Sequence, residues 1–200
     1  MKRILLLVVA VFFMANFGFA QKYEKNIFRV QGGINFSWAG EADMKVGESI
    51  GAIYERLLMK DRPLYLETGL EISQKGTKLE GVKCSAWYVE VPVMVNYKFK
   101  LRKDVYIFPS AGLFTGIGIA GKVKGGVMDE LGVEMDTFGD DGICKRFDMG
   151  LRFGGTVRWQ NLHFGLGMEF GLVNLVRDEL QEMGGKMRMS NIFLTFGWKF

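Results

Sequence analysis

Apolar residues alternate with polar or small ones in eight separate segments of this 200-residue chain. Period-two alternation predicts strands whose two faces meet unlike surroundings. The first segment sets Phe28, Val30, Gly32, Ile34, Phe36 and Trp38 against Arg29, Gln31, Gly33, Asn35 and Ser37. The second is weaker and runs from Ser49 to Leu58. The third sets Leu64, Leu66, Leu70 and Ile72 against Tyr65, Glu67, Gly69, Glu71 and Ser73, and the fourth sets Trp87, Val89, Val91, Val93, Val95, Tyr97 and Phe99 against Glu90, Asn96, Lys98 and Lys100. The fifth, Val105 to Ile119, is less clean, with Tyr106, Phe108 and Phe114 on its glycine-rich face. The sixth sets Phe147, Met149, Leu151, Phe153 and Val157 against Arg146, Asp148, Gly150, Arg152 and Arg158. The seventh sets Leu162, Phe164, Leu166, Met168, Phe170 and Leu172 against His163, Gly165, Gly167, Glu169 and Gly171. The last sets Ile192, Leu194, Phe196, Trp198 and Phe200 against Asn191, Thr195, Gly197 and Lys199.

Alternation alone does not say which face points out, since a soluble lipocalin-like barrel turns its apolar face inward. Size decides. An eight-stranded barrel is only just wide enough inside for side chains to fill it. It has no room for eight rows of Phe, Leu, Ile and Trp, but it can hold glycine alternating with paired charges. The bulky face therefore points outward, where only lipid would solvate it. Strands of about 9–11 residues also suit a tilted membrane crossing.

The connections alternate in the same sense. Residues 59–63, 100–104 and 159–161 read as short turns, and 39–47, 76–86, 120–145 and 175–188 as long loops. Outer-membrane barrels have short periplasmic turns and longer extracellular loops. The expected fold is all-β, an eight-stranded antiparallel up-and-down transmembrane barrel with both termini in the periplasm. Aromatic residues of outward parity fall at both ends of the strands: Phe28, Phe99, Trp159, Trp198 and Phe200 at one end, Trp38, Trp87 and Phe147 at the other. Two such girdles mark the membrane interfaces.

The chain starts with Lys2 and Arg3, an apolar run from Ile4 to Ala15, and small residues at Gly18 and Ala20. This pattern predicts a signal peptide over residues 1–20, cut after Ala20. The alternative, an N-terminal anchor, needs about 20 apolar residues. Position 21 is Gln, which excludes a lipoprotein signal. Residues 21–200 then form one barrel domain, with no other apolar run long enough for a membrane helix. The 27 glycines, 17 phenylalanines and 3 prolines fit a barrel. The net charge of +4 is weak and scattered, and argues against a nucleic-acid partner.

With the strands placed, the chain resembles the PorT-like outer-membrane β-barrel family. The matching features are Gly69-Leu70 with Lys75-Gly76, Glu90-Val91-Pro92, Phe147-Asp148-Met149-Gly150, Gly171-Leu172-Val173-Asn174, and an aromatic-ended last strand closing on Phe200. The resemblance spans nearly the whole mature chain and implies an eight-stranded membrane barrel. Some members of that family are tied to protein secretion, so an accessory role in secretion is one implied function. For barrels of this kind it also implies that the C-terminal aromatic is read by the insertion machinery.

Candidate chemistry lies on the lumen face. Arg29, Glu67, Glu71, Glu90, Lys98, Asp148, Arg152, Arg158, Glu169 and Lys199 have inward parity. Buried charges must be paired, so the expected arrangement is an ion-pair network filling the interior. The alternative is a proton or ion path. His163 opens the seventh strand at the periplasmic end. A lipid hydrolase would need its base near the outer leaflet, beside a nucleophile and an orienting carboxylate. Asp129, Glu130, Glu134, Asp136, Asp140 and Asp141 crowd the 120–145 connection in a spacing that matches no EF-hand loop. Pro92 cannot donate to a sheet ladder and predicts a bulge. The only two cysteines, Cys84 and Cys144, both fall on the extracellular side, either as a disulfide that would stabilise by about 4 kcal/mol or as two free thiols separated by the barrel width.

These features predict no catalytic residues, no cofactor and no metal. The expected function is a non-enzymatic outer-membrane protein, structural or partner-binding through its extracellular loops. The alternative is a narrow channel for small solutes or ions. Expected partners are outer-membrane lipid, the barrel-insertion machinery, and a protein or ligand at the extracellular loops.

Overall fold

The computed structural model describes residues 23–40, 42–79, 82–125, 135–138, 142, 144–177 and 187–200. The segment 1–20 and most of the acidic connection lie outside the described residues. Eight long strands follow one another: β1 (Asn26–Ala39), β2 (Asp43–Leu57), β3 (Leu64–Leu79), β4 (Val82–Tyr97), β5 (Val105–Lys124), β6 (Phe147–Trp159), β7 (Leu162–Gly171) and β8 (Met189–Lys199). Each pairs antiparallel with its chain neighbours, and β1 pairs with β8 from Arg29 opposite Lys199 to Ala39 opposite Met189. The sheet thus closes into a barrel with no free edge, as a membrane requires where no water can satisfy backbone groups.

The outward face is apolar. Phe28, Ile50, Leu70, Ile117, Leu166 and Phe196 are each more than half exposed. A contiguous apolar surface of this extent does not persist in water and belongs against lipid. The girdle residues Phe28, Phe99, Trp159, Trp198 and Phe200 face outward at the end of the barrel that carries both termini. Trp38, Trp87 and Phe147 face outward toward the other end.

Three features differ from the sequence expectations. Residues 39–47 and 76–86 are mostly strand rather than long loops: β2 starts at Asp43, β3 runs to Leu79 and β4 starts at Val82. There the barrel wall continues beyond the apolar band, so outward positions carry exposed Lys78 and Lys83 and the hydrophobic alternation disappears. The fifth strand continues past Ile119 to Lys124. Trp87 pairs with Ala120 but Tyr88 with Gly118, so Ile119 is an extra residue that reverses the parity.

Pro92 makes no bulge. The β3–β4 register is the same on both sides of it, and the ladder simply lapses between Thr68–Val93 and Glu71–Glu90. The missing N–H costs pairing without displacing the strand. A second bulge lies in β2, between Met44 and Ser49. Trp159 and Leu162 pair across the two-residue turn at Gln160-Asn161, which holds Gln160 at a left-handed φ of 54°.

Candidate functional site

The barrel interior and the mouth opposite the termini hold the buried polar groups. At the termini end, Lys98 Nζ lies 3.3 Å from Glu55 Oε2 and 3.6 Å from the centre of the Tyr65 ring. Arg158 sits over Tyr106 at 4.4 Å and over Phe108 at 5.3 Å. Glu24, just before β1, closes this end: its carboxylate is 2.6 Å from Lys199 Nζ and 3.6 Å from Arg158, and its carbonyl accepts the Tyr65 hydroxyl at 3.0 Å. Partial desolvation works to raise the Glu24 pKa. The hydrogen bond and charge of Lys199, with Arg158 and Lys98, outweigh it and leave the carboxyl below its ordinary value.

Higher in the lumen, Arg29 pairs with Glu55 and, at 3.0 Å, with Glu67. Its Nε donates to Gln31, and Gln31 donates on to Glu71. Asn96 donates to Glu67. Arg152 pairs with Glu71 and stands 3.5 Å from Glu169. Lys75 pairs with Glu90 and lies 2.6 Å from Glu169, which also accepts from Asn191. Asp148 is fully buried and accepts the Met149 N–H at 2.8 Å. Except for Asp148, each of these charges finds an opposite one, as burial demands, because an unpaired ion here costs several kcal/mol.

The charges alone do not fill the space. Lys75 lies over Phe114 at 4.5 Å and Arg152 over Phe193 at 4.3 Å, so rings occupy the lumen beside the cations. Several large inward residues face a glycine on the next strand: Phe114 opposite Gly150, Phe193 opposite Gly167, Met94 opposite Gly112 and Ile53 opposite Gly69. A Cβ at Gly150 would lie 2.6 Å from the Phe114 ring. The glycines are sockets for rings. Two small voids among the described residues measure about 20 and 10 Å³, each about the size of one water molecule.

Arg29, Glu67, Glu71, Glu90, Lys98, Asp148, Arg152, Arg158 and Glu169 all line this interior. Lys100 does not: it is exposed in the short strand Phe99–Arg102, which forms a hairpin with the start of β5. Sequence reasoning missed Glu55, which has inward parity on the weak second segment. It missed Lys75 as a lumen cation, because that residue stood at the edge of the supposed loop. It also missed Tyr88 and Phe193 as filling groups, because ring and glycine are matched by register, which no single strand shows. The motifs Lys75-Gly76, Glu90, Asp148 and Gly150 supply one stretch of the interior. Lys75 pairs with Glu90 and lies over Phe114, the ring that faces Gly150.

His163 is buried against Phe108 at a ring distance of 6.0 Å, and neither ring nitrogen meets a hydrogen-bond partner. It is therefore not linked to a hydroxyl or thiol nucleophile in this arrangement. Of the acidic connection, Asp136 is described: it is exposed and pairs with Lys122 through the backbone ladder. Asp129, Glu130, Glu134, Asp140 and Asp141 lie outside the described residues. Among the described residues no group of His, Cys, Asp and Glu side chains is arranged to hold a metal.

The mouth opposite the termini is capped by chain from the connections. Phe138 packs edge-on against Tyr88 at 5.7 Å, in a buried cluster with Ala86 and Cys144. Leu175, fully buried, joins Ala39 and Met189, and Met187 packs against both clusters. Backbone bonds tie these pieces together: Cys144 N–H to the Thr137 carbonyl, Lys145 N–H to that of Leu175, and Leu175 N–H to that of Met187.

Residues 19–177 match the family model described as "Outer membrane protein beta-barrel domain". The chain belongs to this family. It is thereby an integral protein of the outer membrane. Among solved structures it is similar to the attachment invasion locus protein Ail of Yersinia pestis, with 10% identity over 89% of this chain and 100% of that one, and a TM-score of 0.50. It is also similar to Neisserial surface protein A, with 12% identity over 88% and 97% of the two chains and a TM-score of 0.52. At such identities these likenesses establish the fold alone. No curated protein sequence matches the chain.

Proposed function

We propose that this protein is a non-conducting, non-enzymatic outer-membrane barrel that works through its capped mouth, which faces the cell exterior. The observation that carries this reading is the filled interior: rings, glycines and ion pairs leave only water-sized voids, and chain covers the mouth. A solute path is therefore disfavoured, and the unpartnered His163 offers no nucleophile to activate. What remains for function is the lipid-facing wall and the exposed surface around the mouth, where a protein or ligand docks. Both termini lie at one end, and in this reading that end is periplasmic. Membership of the PorT-like subgroup, and with it an accessory part in protein secretion, rests on the shared motifs quoted above.

An epitope placed in the β1–β2 connection at residues 40–42 tests the reading. Intact cells should bind the antibody there and should not bind one against an epitope placed in the Gln160-Asn161 turn. Recognition of the first epitope only after permeabilisation would overturn the orientation and with it the proposed working surface.

A further inference from the structure

The ion-pair network leaves the two cysteines unused, and the fold brings them together from distant parts of the chain. Cys84 stands on β4 on the lumen side, in line with buried Ala86 and Tyr88. Cys144 belongs to the chain that crosses the mouth, bridged through its backbone to Val176 and bonded to the carbonyl of Thr137. Thr137 is itself buried, and its hydroxyl lies 4.0 Å from Cys84 Sγ. Wall cysteine and plug cysteine thus meet around one residue, Thr137, which touches the sulfur of one and the backbone of the other. The rest of this cluster is apolar, built from Ala86, Tyr88, Phe138 and Met187, so neither sulfur has a metal or catalytic partner among the described residues.

Two thiols brought to either side of one residue on an exported protein meet an oxidising compartment. We propose that Cys84 and Cys144 form a disulfide in the mature protein, which fastens the mouth plug to the barrel wall. The electrons go to the disulfide of an extracytoplasmic thiol oxidoreductase. Cys84, the more exposed of the two, attacks that disulfide as its thiolate and expels one oxidant thiolate. Cys144 then attacks Cys84 Sγ, the Cys84–Cys144 bond forms, and the second oxidant thiolate leaves. Two protons and two electrons pass from the protein, and the oxidant becomes a dithiol. The bond joins β4 to the chain between β5 and β6, so the segment carrying Thr137 and Phe138 cannot swing clear of the mouth without reduction. The inference uses the outer-membrane location and is independent of the proposed working surface.

The test is thiol counting on full-length protein extracted from the outer membrane. Unfolded without reductant, it should take up no maleimide-polyethylene glycol. After reduction it should take up two, and its mass should rise by the two hydrogens regained. The Cys84→Ser variant should carry one label without reductant. Two labels on unreduced wild-type protein, or a disulfide-linked dimer instead of an internal bridge, would overturn the proposal. A second readout concerns the plug: protease should cleave between β5 and β6 faster in the folded, reduced barrel than in the oxidised one. Equal rates would refute the fastening even if the bond forms.

Discussion

Glu71 on β3 and Glu90 on β4 are direct cross-strand neighbours with both side chains in the lumen. Like charges so placed repel. The repulsion is relieved from two directions: Arg152 takes Glu71, Lys75 takes Glu90, and both cations share Glu169. The interior is thus a set of carboxylates forced together by register and held by cations from other strands.

Removing one cation should therefore cost more than removing a pair. Lys75→Met leaves Glu90 and Glu169 short of their partner and should destabilise the barrel by about 3–5 kcal/mol. Lys75→Met with Glu90→Gln should recover much of that. Urea unfolding followed by the loss of heat-modifiable gel mobility measures both. A double variant no more stable than the single one would refute the pairing.

Gly118 should behave as a socket. A Cβ there would overlap the Phe138 ring, so Gly118→Ala should expel that ring from the mouth and cost about 1–3 kcal/mol as an overpacked site. Phe138→Ala removes the same contact, so the two changes together should cost less than their sum. A double-mutant cycle that comes out additive would show that the two residues do not meet.

Phe200 is the most exposed apolar residue at the termini end and makes a backbone bond to the Phe28 carbonyl at 3.0 Å. Deleting it should leave the stability of the refolded barrel nearly unchanged. If the C-terminal aromatic is read during insertion, the same deletion should lower the amount in the outer membrane of growing cells. Unchanged membrane levels would remove Phe200 from assembly.

The outward face was legible in the sequence because lipid imposes one requirement on every second residue of every strand. The interior was legible only as a list of charges. Glu55 sat on a segment whose outward face is interrupted by Glu48, Ala52 and Arg56. The extra residue at Ile119 broke the alternation of the fifth segment just where the strand passes the girdle, so β5 read as ending early. The upper wall at residues 76–78 and 83–85 carries exposed Lys78 and Lys83 outside and faces the plug inside, and neither side imposes a hydrophobic period. Ring-to-glycine matching depends on which residues stand opposite each other, and the bulges in β2 and at Ile119 set that register.

Glu24 gives a pH signature. Its folded pKa lies below its ordinary value of 4.5, so the stability it adds is present above that value and is lost as pH falls through the lower, folded value. Because the group is about half exposed, the contribution should be at most about 1 kcal/mol. Glu24→Gln should be less stable than wild type at neutral pH and equal to it in strong acid. A difference that persists in acid would assign the effect to packing instead.

Single-channel recording in planar bilayers tests the proposed closure of the barrel to solutes most directly. Purified wild-type protein should insert, as judged by heat-modifiable mobility after recovery, and show no conductance steps. Steady, discrete currents from the same preparation would contradict a filled interior and make the barrel a channel.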